Sequence, residues 1–428
     1  MIPRIRLVQI KNYKSLTNLS VELEPFNVFV GPNGSGKSNF IDALAFVQEC
    51  LTEPMEVVLN KRGGMSQVMS RLERREPIKF PKEPMTDEGM QEFLDRSICD
   101  AAHMAFRLVV DLADGLEADY AFEIVWREWN SFFLSRERCV VREASGVKHE
   151  YEIRNGRFVK EIPGIRMNLV PDRLALPLIA GAEEFAPLWG FLASMRFYCI
   201  DPVKLRHPQP PDPGSYLKED GSNSAAILKN LFKFSSGSHQ LDLFTGCMEN
   251  VVEGIEGVAG GPYGHQQTIW FRQDLGLQEP VDFTALNMSD GTLRALGVLL
   301  AVCQPAILSV VGIEEPEATI HPALADMIME VLIDASNDKQ VLITSHSPDL
   351  LDYKELRENQ IKVVKWHRGT TSIAPVSLED RTAIQEHLYT PGELLSVDEL
   401  SPDPVQIERS SRDIDLFGVP FATDGQQQ

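Results

Sequence analysis

Residues 4–10 (Arg-Ile-Arg-Leu-Val-Gln-Ile) alternate in character and predict a strand, and Pro25–Val30 predicts a second, apolar one. A glycine-rich turn follows, then a helix from Ser38 carrying the apolar residues Phe40, Ile41, Leu44 and Phe46. From about 52 to 100 the pattern is irregular, polar and rich in breakers. Strand-like runs return at His103–Leu112, Asp119–Trp126, Lys148–Ile153 and Arg157–Ile162, the last two joined across Asn155-Gly156. Asn-Gly between such runs signals a hairpin, so an antiparallel sheet is expected here. Residues 177–195 read as apolar helix and 196–201 as strand, whereas the proline-rich stretch 207–214 is a loop or linker. Helices are expected at 223–233 and around 240–253, then a glycine-rich stretch at 254–264 and a strand at 267–273. In the last third, a helix at 289–302, a strand at 310–313, a helix at 322–335 and a strand at 340–344 alternate. That alternation implies a parallel sheet covered on both faces. Neither an internal repeat nor sustained heptads are present, which argues against a long coiled-coil arm.

At 428 residues the chain can hold one large domain or two to three smaller ones. No apolar run approaches the roughly 20 residues that cross a bilayer, and the N-terminus lacks a secretory signal. A cytoplasmic location, away from the membrane, is the expectation. The six cysteines form no C-x-x-C pair, which disfavours a zinc site or disulfide scaffold, and they read as small buried residues. A net charge of −21 disfavours wholesale wrapping of nucleic acid but leaves room for a local basic surface. Residues 1–21 carry Arg4, Arg6, Lys11 and Lys14 without an acid. Residues 61–82 carry Lys61, Arg62, Arg71, Arg74, Arg75, Lys79 and Lys82 against Glu73 and Glu76, a solvated face or a phosphate-facing patch. From 376 onward eleven acids face three arginines.

The chemistry concentrates in four places. Gly31-Pro32-Asn33-Gly34-Ser35-Gly36-Lys37-Ser38, followed by Asn39, has full phosphate-loop spacing between a strand and a helix. Its glycines let backbone N–H groups curl around phosphate, and the helix N-terminus adds its dipole. Lys37 would reach the β- and γ-phosphates of ATP, and the Ser38 hydroxyl would ligate Mg2+. Glu314 and Glu315 end the apolar run 306–313, which delivers a carboxylate pair to a sheet edge: one for magnesium, one to activate water. His346 ends another buried strand, where it could bond the γ-phosphate or orient the attacking water. Ser289 and Gly291 open a helix and offer a second anion site.

With Ile10-Lys11-Asn12-Tyr13-Lys14-Ser15-Leu16 ahead of the phosphate loop, and Met288–Thr292, Ile313–Glu317 and Ser345-His346-Ser347 after it, the chain resembles an ABC-type ATPase head of the RecF, SMC and OLD-like branch. It is most similar to stand-alone ATPases grouped loosely with AAA proteins. Glu317–Pro322 resembles the family's D-loop, and Asp220-Gly221-Ser222-Asn223 resembles this subgroup. The implied fold is α/β: an ABC-type P-loop head with a mixed or parallel core sheet, an antiparallel β-subdomain and a helical insertion. The expected division is 1–50, first part of the head; 51–100, irregular basic insertion; 101–165, antiparallel β-subdomain; 166–275, helical insertion; 276–375, second part of the head; 376–428, acidic C-terminal segment.

The resemblance implies a head-to-tail homodimer or higher oligomer, with each ATP between Gly31–Ser38 of one subunit and Ser289–Gly291 of the other. It makes Glu315 the catalytic base, Glu314 the magnesium-side carboxylate and His346 the switch histidine. Asp290 stands where many relatives carry glycine, and Glu314 where most carry aspartate. Gln67 is either the Q-loop glutamine or an exposed polar residue. Two uses of ATP stand open: an ATP-gated clamp or sensor on DNA, in DNA repair or anti-phage defence, or the energising subunit of a transporter. The interval from Lys37 to Ser289, 252 positions, favours the first, because transporter ATPases resemble heads with roughly half that spacing. Val252-Glu253-Gly254 resembles the start of a Toprim nuclease domain, but no Asp-x-Asp strand follows nearby, and Asp413-Ile414-Asp415 lies in a short acidic tail. A nuclease effector is therefore expected on a separate chain.

Overall fold

A computed structural model of the chain describes residues 2–73, 75–79, 85–97, 101–128, 131–160, 169, 172–235, 237–411 and 415–418. Arg74, Lys82, Cys99, residues 161–162, Arg412, Asp413 and Ile414, all part of the readings above, lie outside the described residues.

Seven antiparallel strands form one sheet: β1 (Arg4–Tyr13), β2 (Leu16–Glu22), β4 (His103–Asp111), β5 (Glu117–Arg127), β6 (Ser131–Arg142), β7 (Lys148–Arg154) and β8 (Arg157–Lys160), in the order β2-β1-β4-β5-β6-β7-β8. A six-stranded sheet runs β16-β15-β3-β14-β13-β9, from β3 (Phe26–Val30), β9 (Arg196–Tyr198), β13 (Val310–Glu314), β14 (Gln340–Ser345), β15 (Ile361–His367) and β16 (Thr370–Pro375). Its pairings are parallel except for the β15–β16 edge hairpin. A third, antiparallel sheet joins β10 (Ile255–Tyr263), β11 (Gln266–Gln273) and β12 (Val281–Thr284).

The six-stranded sheet is the partition between two cores. Val28, Val30, Val311, Ile313, Val341 and Ile343 belong to one core, and Phe29, Val310, Leu342 and Val364 to the other. Burial on both faces is why these strands read as continuous apolar runs. The helix Lys37–Thr52 buries Phe40, Leu44 and Val47 in the core shared with the antiparallel sheet, while the helix Asp290–Cys303 buries Leu293, Leu296 and Leu300 in the other. Because β3, β13 and β14 are parallel, the residues that follow them emerge at one edge.

Several expectations need correction. β1 and β2 pair into the antiparallel sheet, so the β-subdomain placed at 101–165 draws two strands from the segment 1–50. The stretch 51–100, read as irregular, contains helices Met55–Lys61, Met65–Val68 and Asp87–Ser97. Within 166–275, read as a helical insertion, the strands expected at 196–201 and 267–273 are present as β9 and β11, but the glycine-rich run is mostly strand as well, β10. The C-terminal segment is no free tail over its described length: helices Leu378–Gln385, Pro391–Ser396 and Pro404–Ser411 fold back, and Ser410 Oγ donates to the Ser20 carbonyl at 2.9 Å. Cys199 is exposed, unlike the buried Cys50, Cys139, Cys247 and Cys303.

Two buried polar side chains tie the layers together. Gln340 opens β14 and bonds the Ile5 N–H and C=O of β1, each at 2.9 Å, and also the Glu24 carbonyl. Glu137, in β6, accepts from Tyr120 and Tyr151 hydroxyls and from the Ala175 and Leu176 N–H groups at 2.6–3.0 Å. Burial nonetheless raises its pKa. Glu137→Gln points an amide N–H2 at a backbone donor and is expected to cost about 1–3 kcal/mol. The folded protein holds the Glu137 proton at pH values where the unfolded chain has released it. Wild-type stability thus falls as pH rises from the usual glutamate range through the raised value. The margin of wild type over Glu137→Gln should be widest in acid and narrow toward neutrality, which urea unfolding of both proteins across pH will show.

Candidate nucleotide site

The chain leaves β3 into Gly31–Ser38, and Lys37 opens the following helix. Lys37 is buried, and its Nζ donates to the carbonyls of Gly31 at 2.7 Å and Pro32 at 3.1 Å. Burial pulls its pKa down, against the opposing pull of Glu315, Glu317 and Glu314 in that order. Pro32, Asn33 and Gly34 form the exposed crest of the loop, while Ser35 is buried.

The loop is braced from behind by residues distant in sequence. Thr371, in β16, donates from Oγ1 to the Ser35 carbonyl at 2.8 Å and lies 2.7 Å from Ser15 Oγ, which accepts from Asn39 Nδ2 at 2.8 Å. Gly36 has φ +105°, and a Cβ there would stand 2.1 Å from Thr371 Oγ1.

Ser38 is exposed and donates to Glu314 Oε2 at 2.5 Å. Burial raises the Glu314 pKa, the Ser38 bond lowers it, and Glu315 raises it further. A hydroxyl and a carboxylate meeting here are two hard oxygen donors, which fits Mg2+, an ion that takes few protein ligands and completes its shell with phosphate oxygens and water. No group of three or more His, Cys, Asp or Glu suited to a metal occurs among the described residues, so phosphate and water would have to supply the remainder.

Glu315 follows with φ +46°, an uncommon backbone conformation for a residue with a side chain. Its N–H donates to the Thr344 carbonyl at 3.0 Å, and its Oε1 lies 3.3 Å from His346 Nδ1. Glu317, which the sequence marks only by its D-loop resemblance, has a bracing role here. It accepts from the Ser345 hydroxyl, which accepts in turn from the Ser347 N–H, so Glu317 braces the turn that carries His346. Burial raises the Glu317 pKa. The signal was its place three positions after Glu314, at the same strand end.

Among the described residues, neither Ser289 nor Gly291 hydrogen-bonds to Lys37, Ser38, Glu314, Glu315 or His346 within the protomer. Ser289 caps the helix Asp290–Cys303, accepting from the Thr292 N–H at 3.1 Å, and is exposed. Gly291 packs on the D-loop-like turn, where a Cβ would approach the Thr319 carbonyl to 2.7 Å.

A polar cavity of about 350 Å³ runs along the Lys37–Thr52 helix, lined by Ser38, Glu314, Asp42, Lys14, Arg62 and Arg196 among others. Sequence reasoning missed its hub, Asp42, which accepts from Tyr13 at 2.5 Å and pairs with Lys14 at 2.5 Å and Arg62 at 2.9 Å. Arg62 also pairs with Glu49. In the 61–82 stretch, Lys61 pairs with Glu53, Arg75 with Glu73 and Lys79 with Glu128. Gln67 is exposed on its short helix.

A phosphate loop and a glutamate pair at one edge of a parallel sheet, with a serine-capped helix on the same chain, define a P-loop ATPase head. Residues 194–352 match a family described as "AAA domain, putative AbiEii toxin, Type IV TA system", and residues 4–73 match one described as "AAA ATPase domain". The Old nuclease of Escherichia phage P2 is 22% identical over 413 residues, covering 88% of this chain and 62% of that protein. The chain thus spans less than two thirds of that relative. The chromosome partition protein Smc of Methanocaldococcus jannaschii is 51% identical over 41 residues, 9% of this chain and 4% of that protein. Similar solved structures include an Smc head bound to the C-terminal winged-helix domain of ScpA (TM-score 0.46, 14% identity, 88% of this chain and 99% of that one). Another is the SMC head domain from Thermotoga maritima (TM-score 0.41, 14% identity, 88% and 100%). Both family matches are to AAA-type ATPase domains, and the first spans the strands and loops that carry Glu314, Glu315 and His346.

Proposed function

We propose that the chain binds and hydrolyses ATP with Mg2+ as a head-to-tail dimer, closing each nucleotide between Gly31–Ser38 of one subunit and Ser289–Gly291 of the other. The carrying observation is the convergence of Lys37, the Ser38–Glu314 pair and the Glu315–His346 pair at one sheet edge, with Ser289 exposed outside that cluster. Lys37 exchanges its loop carbonyls for the β- and γ-phosphates. Glu315 takes the proton of the attacking water, and His346 holds the Glu315 carboxylate in place. Ser38 and Glu314 would hold Mg2+, which when bound would supply positive charge to the phosphates.

The dimer acts as an ATP-gated clamp or sensor on DNA, in DNA repair or anti-phage defence, and controls a separately encoded effector such as a nuclease. Support for the DNA role comes from the likeness to a nuclease and to a chromosome partition protein. Because several cations of the 61–82 stretch already have acidic partners, DNA contact should release few counterions and its salt dependence should be shallow. Sedimentation with Mg2+ and a non-hydrolysable ATP analogue should convert monomer to dimer. Fluorescence anisotropy at about 50 and 200 mM salt should then detect DNA on the dimer. A chain whose mass ignores nucleotide defeats the composite site, and a nucleotide-bound dimer indifferent to DNA defeats the clamp.

A further inference from the structure

Arg206 ends the short helix Pro202–Arg206 and reaches the start of the Ser289-capped helix. Its Nη2 donates to Asp290 Oδ1 at 2.6 Å and to the Met288 carbonyl at 2.9 Å. Among the described residues its Nε and Nη1 carry no hydrogen bond, and the side chain remains 27% exposed. Asp290 is 54% exposed in the first turn of the helix, next to Ser289.

A carboxylate in that turn suits the helix dipole but opposes an arriving phosphate. The serine cap and the N–H groups around it would attract the same phosphate. Arg206 cancels the opposing charge. A planar guanidinium with unused donors is also the side chain best matched to phosphate oxygens.

We propose that Arg206 contacts the terminal phosphate of ATP held in the partner's phosphate loop, with Asp290 parking the guanidinium beside Ser289; this rests on the composite site proposed above. Arg206 is then a binding residue that works across the interface. A clasp that only holds the helix start would instead act through Asp290, so the two variants separate the roles.

ATP turnover of the full chain with Mg2+ is measured against ATP concentration. R206A should raise half-saturation at least about tenfold, with kcat changed less, as expected for a lost charge-assisted contact. D290N should raise it by no more than about threefold, because the Met288 carbonyl still holds the guanidinium. At ATP well below the wild-type half-saturation, where R206A alone is nearly silent, mixing R206A with K37A subunits should restore about a quarter of the wild-type rate, since each mixed dimer rebuilds one intact site from the two undamaged faces. Equal losses in R206A and D290N, or R206A half-saturation within about twofold of wild type, overturn the inference. Recovery in an S289A and K37A mixture without recovery in the R206A and K37A mixture overturns it too, while leaving the composite site intact. Absent wild-type turnover, or failure of the S289A and K37A pair to complement, removes the composite site and this inference together.

Discussion

Glu315→Gln is expected to lower ATP turnover by at least about a hundredfold and to accumulate a nucleotide-bound dimer, because loss of a general base costs on the order of 10²–10⁴ in rate. The substitution keeps the shape of the side chain. A glutamine oxygen can still sit opposite His346 Nδ1, now at 3.3 Å from Glu315 Oε1, and the backbone bond to the Thr344 carbonyl is untouched. Binding through Lys37, Ser38 and Glu314 should therefore survive. Only the capacity to take a proton from water is lost. His346→Ala should act in the same direction but more weakly, since it removes a holder of the base and leaves the base itself. Phosphate release and sizing on the same samples measure both effects. A Glu315→Gln protein that hydrolyses ATP at the parental rate takes the base role away from Glu315.

What the sequence made legible is what local pattern or fixed spacing encodes. The phosphate loop is contiguous, so its spacing and its strand–helix flanks are visible together. Residues 310–313 and 341–343 are without polar alternation because both faces of their strands are buried, and those strands lead into the glutamate pair and the histidine. Contacts between remote segments have no such signature. Thr371 braces the phosphate loop through Ser35 and Ser15, and the Ser15 pairing spans 356 positions. Lys14 and Arg62 look like free cations in a one-dimensional charge count, yet Asp42 holds both. β6 escaped detection because Ser135 and Glu137 occupy buried positions where an alternating pattern calls for apolar residues. Glu137 is tolerated there only because four donors converge on it from β5, β7 and the start of the helix Leu176–Ile179.

Gly36→Ala is expected to abolish measurable ATP binding and to destabilise the protein by about 2–4 kcal/mol, combining backbone strain with overpacking. The residue sits at φ +105°, and an added Cβ would meet Thr371 Oγ1 at 2.1 Å and Cγ2 at 2.8 Å. Thr371 cannot simply withdraw, because its hydroxyl is committed to the Ser35 carbonyl and its N–H to the Ser15 carbonyl. The loop must move instead, and with it the N–H groups and Lys37 that follow Gly36 directly. Thr371→Ala alone should cost about 1 kcal/mol for the lost hydrogen bond and weaken ATP binding only modestly. In the double variant the contact is relieved while the unfavourable φ remains, so stability should recover in part and ATP binding should stay well below wild type. Urea unfolding and titration with a fluorescent ATP analogue distinguish these outcomes. A Gly36→Ala protein with parental affinity and an unchanged midpoint would mean that the loop tolerates a side chain at this position, and that the brace from β16 does not set its shape.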